Sequence, residues 1–95
     1  MTVRYGGRDG NRRDENEDEI VRALKRVGAS VELISAPGVP DLLVGFRDGT
    51  FLIEVKGEKG RLTDAQKRFR ERWRGGPVIT ARTWQEALRA IGAIA

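Results

Sequence analysis

The sequence predicts an α/β domain whose elements run α-β-β-β-α-β-α, and three observations carry that prediction. The first is a hairpin between residues 41 and 56, DLLVGFRDGTFLIEVK, in which Leu42, Val44, Phe46, Phe51, Ile53 and Val55 form an apolar face at period two. The second is a helical stripe, Ile20, Val21, Leu24 and Val27, at the i, i+1, i+4, i+7 spacing of one buried face. The third is a pair of helix starts, Thr63-x-x-Gln66 and Thr83-x-x-Glu86, each with the spacing of a capping box.

In chain order, residues 1–13 mix glycine with arginine and show no periodicity, so they are expected to form a flexible basic arm. Tyr5, within the arm, is suited to stacking on a base or packing on a neighbouring subunit, and an inert tail is the equal alternative. A single domain is expected over residues 14–95. Its first helix spans Asp14 to Val27 and is closed by Gly28, with acids crowded into the first turn, where the helix dipole favours them. Glu17 shares the core-facing side of that turn, and its spacing from Asp14 also fits a capping role.

Residues 30–35 (SVELIS) read as a strand, followed by the stiff loop Ala36-Pro37-Gly38-Val39-Pro40. Pro40 fixes the backbone just before Asp41. In the hairpin, Asp48-Gly49 is the expected two-residue turn, since both central positions need positive φ. Residues whose numbers sum to 97 then face each other, which sets Asp41 opposite Lys56 and Glu54 opposite Leu43. Asp41, Leu43, Glu54 and Lys56 fall on one face, and Leu42, Val44, Phe46, Phe51, Ile53 and Val55 on the other. The second helix runs from the Thr63 cap to Trp73 or Arg74, with Ala65, Phe69 and Trp73 as its core stripe. Residues 78–81 (VITA) form a short buried strand. The last helix turns Ala87, Leu88 and Ile91 inward.

Composition narrows the chemistry. The chain of 95 residues suits one modest core. No apolar run is long enough to span a bilayer, and no secretory signal is evident, so a soluble, cytoplasmic protein is expected. With no cysteine and no histidine, thiolate sites, zinc sites of the usual kind and histidine-based triads are excluded. A metal would have to sit on oxygens. The net charge of +4 is divided unevenly: four arginines in the arm, an acidic run at residues 14–19, and seven cations between Lys59 and Arg74. Basic segments on either side of an acidic cluster suit a polyanion held around a bound metal. A merely solvated charged face has the same composition.

Two carboxylates and an ammonium thus gather at the open end of the hairpin, where oxygen-rich donors suit Mg²⁺. The blander arrangement is an Asp41–Lys56 ion pair with Glu54 in water, yet the apolar strands argue for burial. The pattern Gly38-Val-Pro-Asp41, then Glu54-Val-Lys56, then a helix opening at Gln66 resembles the PD-(D/E)xK nuclease superfamily. More narrowly it is similar to the VRR-NUC nucleases, which are related in architecture to Holliday-junction resolvases. The likeness covers roughly residues 14–82. It implies a restriction-endonuclease-like core, α-β-β-β-α-β with a C-terminal helix, in which helices flank a mixed sheet. It further implies a Mg²⁺-dependent endodeoxyribonuclease, with Mn²⁺ as substitute ion, acting on junctions or branched DNA as a homodimer.

Position by position, the resemblance makes Asp41 the central metal ligand and Glu54 the second, joined by the Val55 backbone carbonyl. Glu17 is implied as the acid of helix one, Lys56 as the catalytic lysine and Gln66 as the motif glutamine. Arg12, Arg13, Lys59, Arg61, Lys67 and Arg68 are the expected DNA contacts. The competing expectation is a catalytically silent nucleic-acid-binding module on the same fold.

Overall fold

The computed structural model describes residues 11–95, with side chains from Asn16 onward. Its elements are α1 (Asn11–Arg26), β1 (Ser30–Leu33), β2 (Leu42–Phe46), β3 (Gly49–Val55), α2 (Asp64–Arg72), β4 (Val78–Ala81) and α3 (Trp84–Ala90). Type and order agree with the expectation throughout. The bounds differ at α1, which reaches back to Asn11 and takes Asn11, Arg12 and Arg13 from the expected arm. The rest of that arm, Tyr5 included, lies outside the described residues.

The four strands form one sheet in the order β1-β2-β3-β4. The pairs β1–β2 and β2–β3 are antiparallel, whereas β3 and β4 are parallel, with α2 as the connection that parallel neighbours require. The sheet is therefore mixed. One of its faces carries the core: Leu42, Val44, Ile53 and Val55 pack against Ile20 and Leu24 of α1 and against Ala87, Leu88 and Ile91 beside them. The period-two pattern of the hairpin supplies one half of this contact and the helical stripes supply the other.

On the opposite face α2 lies beside β3 and β4, joined to them by Gln66 and Arg70. Phe69 is buried there, and Trp73 stacks on it at 5.3 Å between ring centroids. Trp73 does not extend the core as its spacing suggested; it is 41% exposed and donates Nε1–H to the Gly76 carbonyl at 2.9 Å. The helix has already ended at Arg72, so the indole closes the helix end rather than entering the core. At the other end of α2, Thr63 and Gln66 form the expected capping box. No described helix is long and apolar enough to cross a membrane.

The hairpin register departs from the expectation. Phe46 pairs with Gly49 and Leu42 with Ile53, so paired numbers sum to 95 and the turn is centred on Arg47 and Asp48. These two residues carry the positive φ values, 50° and 70°, that a type I′ turn needs, while Gly49 is already the first residue of β3. Leu43 accordingly faces Leu52 rather than Glu54. The physical reason is that a slip of two residues leaves every side chain on its original face, so apolar alternation cannot tell the two registers apart. The faces were legible, and the partners across the ladder were not.

Arg47 and Asp48 both adopt a left-handed conformation that non-glycine residues hold at a cost. Replacing the pair by Asn-Gly (Arg47→Asn with Asp48→Gly) should stabilise the protein by about 1 kcal/mol. The midpoint of urea unfolding would report it, and an unchanged or lower midpoint would contradict this turn.

Candidate active site

Continuing the observed register one step beyond Leu42 and Ile53 brings Asp41 opposite Glu54, not opposite Lys56 as the expected turn had it. Two carboxylates thus stand side by side on the face of the sheet away from the main core. Both are buried, with Asp41 8% and Glu54 1% exposed. Directly opposed side chains begin about 5 Å apart, so the two carboxyl groups are near neighbours.

Asp41 is placed by its neighbours on both sides. Pro40 is fully buried, and the Asp41 carbonyl accepts from the Ile34 amide at 2.7 Å. Its carboxylate Oδ2 accepts from the Val55 amide at 2.8 Å. This side chain therefore takes the place of a main-chain acceptor just where the β2–β3 ladder ends. In an antiparallel ladder a residue's N–H and C=O face the same neighbour, so the Val55 carbonyl faces the Asp41 side as well.

Glu54 is placed by the sheet and by α2. It pairs with Thr80 across the parallel β3–β4 ladder, and its Oε2 accepts from Gln66 Nε2 at 3.1 Å. Gln66 also closes the capping box: its Oε1 accepts from the Thr63 amide at 2.8 Å, and its own amide donates to Thr63 Oγ1 at 3.1 Å. One side chain thus fixes the helix start and engages the carboxylate at the same time. The start of α2 can come this near because Gly38 lies against Ala65; with φ of 79° and only 3.2 Å from a would-be Cβ to Ala65, the position suits only glycine.

Lys56 follows directly, half-buried, its amide donating to the Ala81 carbonyl at 3.1 Å. Glu17, also half-buried, lies on α1 next to Asn16, whose Nδ2 donates to the Lys56 carbonyl at 2.8 Å. That bond brings the acidic end of α1 to the mouth of the site. The structure therefore gathers Asp41, Glu54, Val55, Lys56 and Gln66, with the turn of α1 that carries Glu17 alongside.

Of the expected DNA contacts, Lys59 and Arg61 are exposed on the loop between β3 and α2, and Lys67 and Arg68 are exposed on α2 itself. Arg12 and Arg13 are on α1, but their side chains lie outside the described residues. Three residues of the neighbourhood were not singled out from the sequence. They are Asn16, Arg82 and Arg70, whose Nη2 donates to Thr80 Oγ1 at 2.8 Å beside Glu54. Arg70 is four residues from Gln66, so the two share a helix face, and that spacing was the available signal.

The donor set suits a hard divalent cation. Among the described residues no group of three or more Asp, Glu, His or Cys side chains is gathered to hold a metal ion. Two carboxylates and a carbonyl are nonetheless what Mg²⁺ commonly uses, because it keeps several waters or phosphate oxygens in its shell. A cation between Asp41 and Glu54 would also offset the repulsion of two buried like charges.

No family model matches the sequence, and no curated protein matches it. Among solved structures, one described as a "VRR_NUC domain" superposes with a TM-score of 0.72 at 24% identity. The match covers 87% of this chain and 97% of that one. The likeness shows that this chain has the fold of that domain, with the mixed four-stranded sheet and the α-β-β-β-α-β-α order described above.

Removing Gln66 breaks two of these arrangements together. Gln66→Ala should cost about 1–2 kcal/mol of stability, from loss of the capping box and of the Glu54 partner, measurable as a lower urea midpoint. A midpoint equal to that of the unaltered chain would show that neither contact contributes.

Proposed function

We propose that this chain is a metal-dependent endonuclease that hydrolyses DNA phosphodiester bonds. The observation that supports this most is the juxtaposition of Asp41 and Glu54 across the end of the hairpin, buried, with Gln66 on one carboxylate and Lys56 next in the chain. In this reading Asp41, Glu54 and the Val55 carbonyl hold Mg²⁺, with Mn²⁺ as a substitute, and Glu17 assists from α1. The bound ion supplies neutralisation of phosphoryl charge and a water acidic enough to act as nucleophile near neutral pH.

The chain's own residues do the remainder. Lys56 orients the attacking water and stabilises the charge that builds on the phosphoryl oxygens. Gln66 holds Glu54 in one rotamer. Lys59, Arg61, Lys67 and Arg68, with Arg12 and Arg13, track phosphates without reading bases, so binding is expected to weaken steeply with salt. The preferred substrates in this reading are four-way junctions or other branched DNA. A domain this small has little surface with which to recognise a junction, and a symmetric homodimer would set two sites to nick opposing strands.

The test is a cleavage panel of supercoiled plasmid, linear duplex, flapped and four-way substrates with Mg²⁺ or Mn²⁺. Asp41→Ala and Lys56→Ala should lower cleavage by about a hundredfold or more, while Glu54→Ala should keep DNA binding and lose cutting. Gln66→Glu retains the capping box but sets a third carboxylate against Glu54. It should therefore keep the helix start and lose cutting. An unaltered chain that cuts nothing in the panel, yet binds DNA, would identify a silent binding module instead. Light scattering after size exclusion decides the dimer.

A further inference from the structure

The main chain that follows Lys56 is held from two directions by side chains that the cleavage chemistry itself does not use. From α1, Asn16 Nδ2 donates to the Lys56 carbonyl at 2.8 Å across 40 positions of sequence. From the segment after β4, Arg82 Nη1 donates to the Gly57 carbonyl at 2.6 Å and reaches the Glu58 carbonyl at 3.4 Å. Arg82 is itself anchored, since its amide donates to Glu86 Oε1 at 2.7 Å and the Glu86 amide donates to Thr83 Oγ1 at 3.1 Å. Neither residue is well explained by its own element. Asparagine is a poor helix former within α1, and an arginine that only faced water would leave its donors to solvent.

The segment so held folds back on the lysine. The Gly60 amide donates to the Gly57 carbonyl at 3.1 Å, closing a turn. A Cβ at Gly60 would lie 3.3 Å from Lys56 Cδ and 3.5 Å from Lys56 Cβ, so the glycine backbone lies along the lysine stem. A lysine side chain has four rotatable stem bonds and keeps much of its rotamer freedom unless something packs on it. Here the packing comes from a turn whose first carbonyls accept from Asn16 and Arg82.

We propose that Asn16 and Arg82 are positioning residues for Lys56. By holding the carbonyls of Lys56, Gly57 and Glu58, they seat the Gly57–Gly60 turn against the lysine stem and so aim its ammonium at the site. The inference rests on the reading of Lys56 as the catalytic lysine. The contacts that define it can be measured without cleavage.

The experiment compares the unaltered chain with Asn16→Asp, Arg82→Ala, Arg82→Lys and Gly60→Ala. Amide hydrogen exchange at Gly60, whose N–H closes the turn, should quicken about tenfold in Asn16→Asp and Arg82→Ala, while protection in β2, β3 and α3 stays as it was. In cleavage assays the same two variants should lose about tenfold in kcat with KM within about twofold. Arg82→Lys, which keeps a cationic donor group but not the planar guanidinium, should recover part of both losses. Gly60→Ala should lower kcat without quickening exchange, because it presses on the lysine stem but leaves the turn held.

Unchanged exchange at Gly60, or a rise spread evenly over the whole sheet, would overturn the proposal. So would intact kcat in variants whose turn has loosened. If the unaltered chain cuts no substrate, the nuclease reading fails by itself, and the exchange pattern still decides whether Asn16 and Arg82 hold this turn.

Discussion

The hydrogen bond from the Val55 amide to Asp41 Oδ2 marks where strand pairing ends and the site begins. Up to Leu42 and Ile53 the β2–β3 ladder is made by main chain alone. One step further a carboxylate has replaced the main-chain acceptor, so an acid is held in the sheet with the precision of a ladder bond. A backbone donor fixed in a sheet cannot swing away, and its acceptor is fixed with it. The placement of Glu54 opposite, of the Val55 carbonyl beside it and of Lys56 next along the chain all follow from that termination.

The two faces of the sheet divide the work. The face bearing Ile53 and Val55 is sealed by α1 and α3 and provides the burial that stabilises the fold. The face bearing Glu54 meets α2, and there, beside the buried Phe69, polar contacts run from Gln66 to Glu54 and from Arg70 to Thr80. Because adjacent residues of β3 point to opposite faces, the same short strand serves both purposes. Burial on the polar face is what makes the site demanding, since buried carboxylates must be matched by donors or a cation.

Hydrogen bonds from distant parts of the chain converge on the end of β3. Asp41 comes from the start of β2, Asn16 from α1, Gln66 from α2 and Arg82 from the segment after β4.

Local order was readable from local chemistry. The stripe Ile20, Leu24, the apolar face of the hairpin and the threonine caps gave α1, the β2–β3 hairpin and the starts of α2 and α3, because periodicity and capping act over a few residues. Asp41, Glu54 and Lys56 were legible as short spacings on one face of the hairpin, whereas Glu17 and Gln66 entered the site through the family resemblance, their spacing alone fitting caps. What the sequence by itself could not determine was which residues meet across space. Registers two apart bury the same side chains, so only the closed turn at Arg47 and Asp48 decided that Asp41 faces Glu54. Asn16 and Arg82 lie 40 and 25 positions from the carbonyls they hold, and no periodicity reports a contact of that separation. Those pairings exist only once the sheet, α1 and the segment after β4 have packed together.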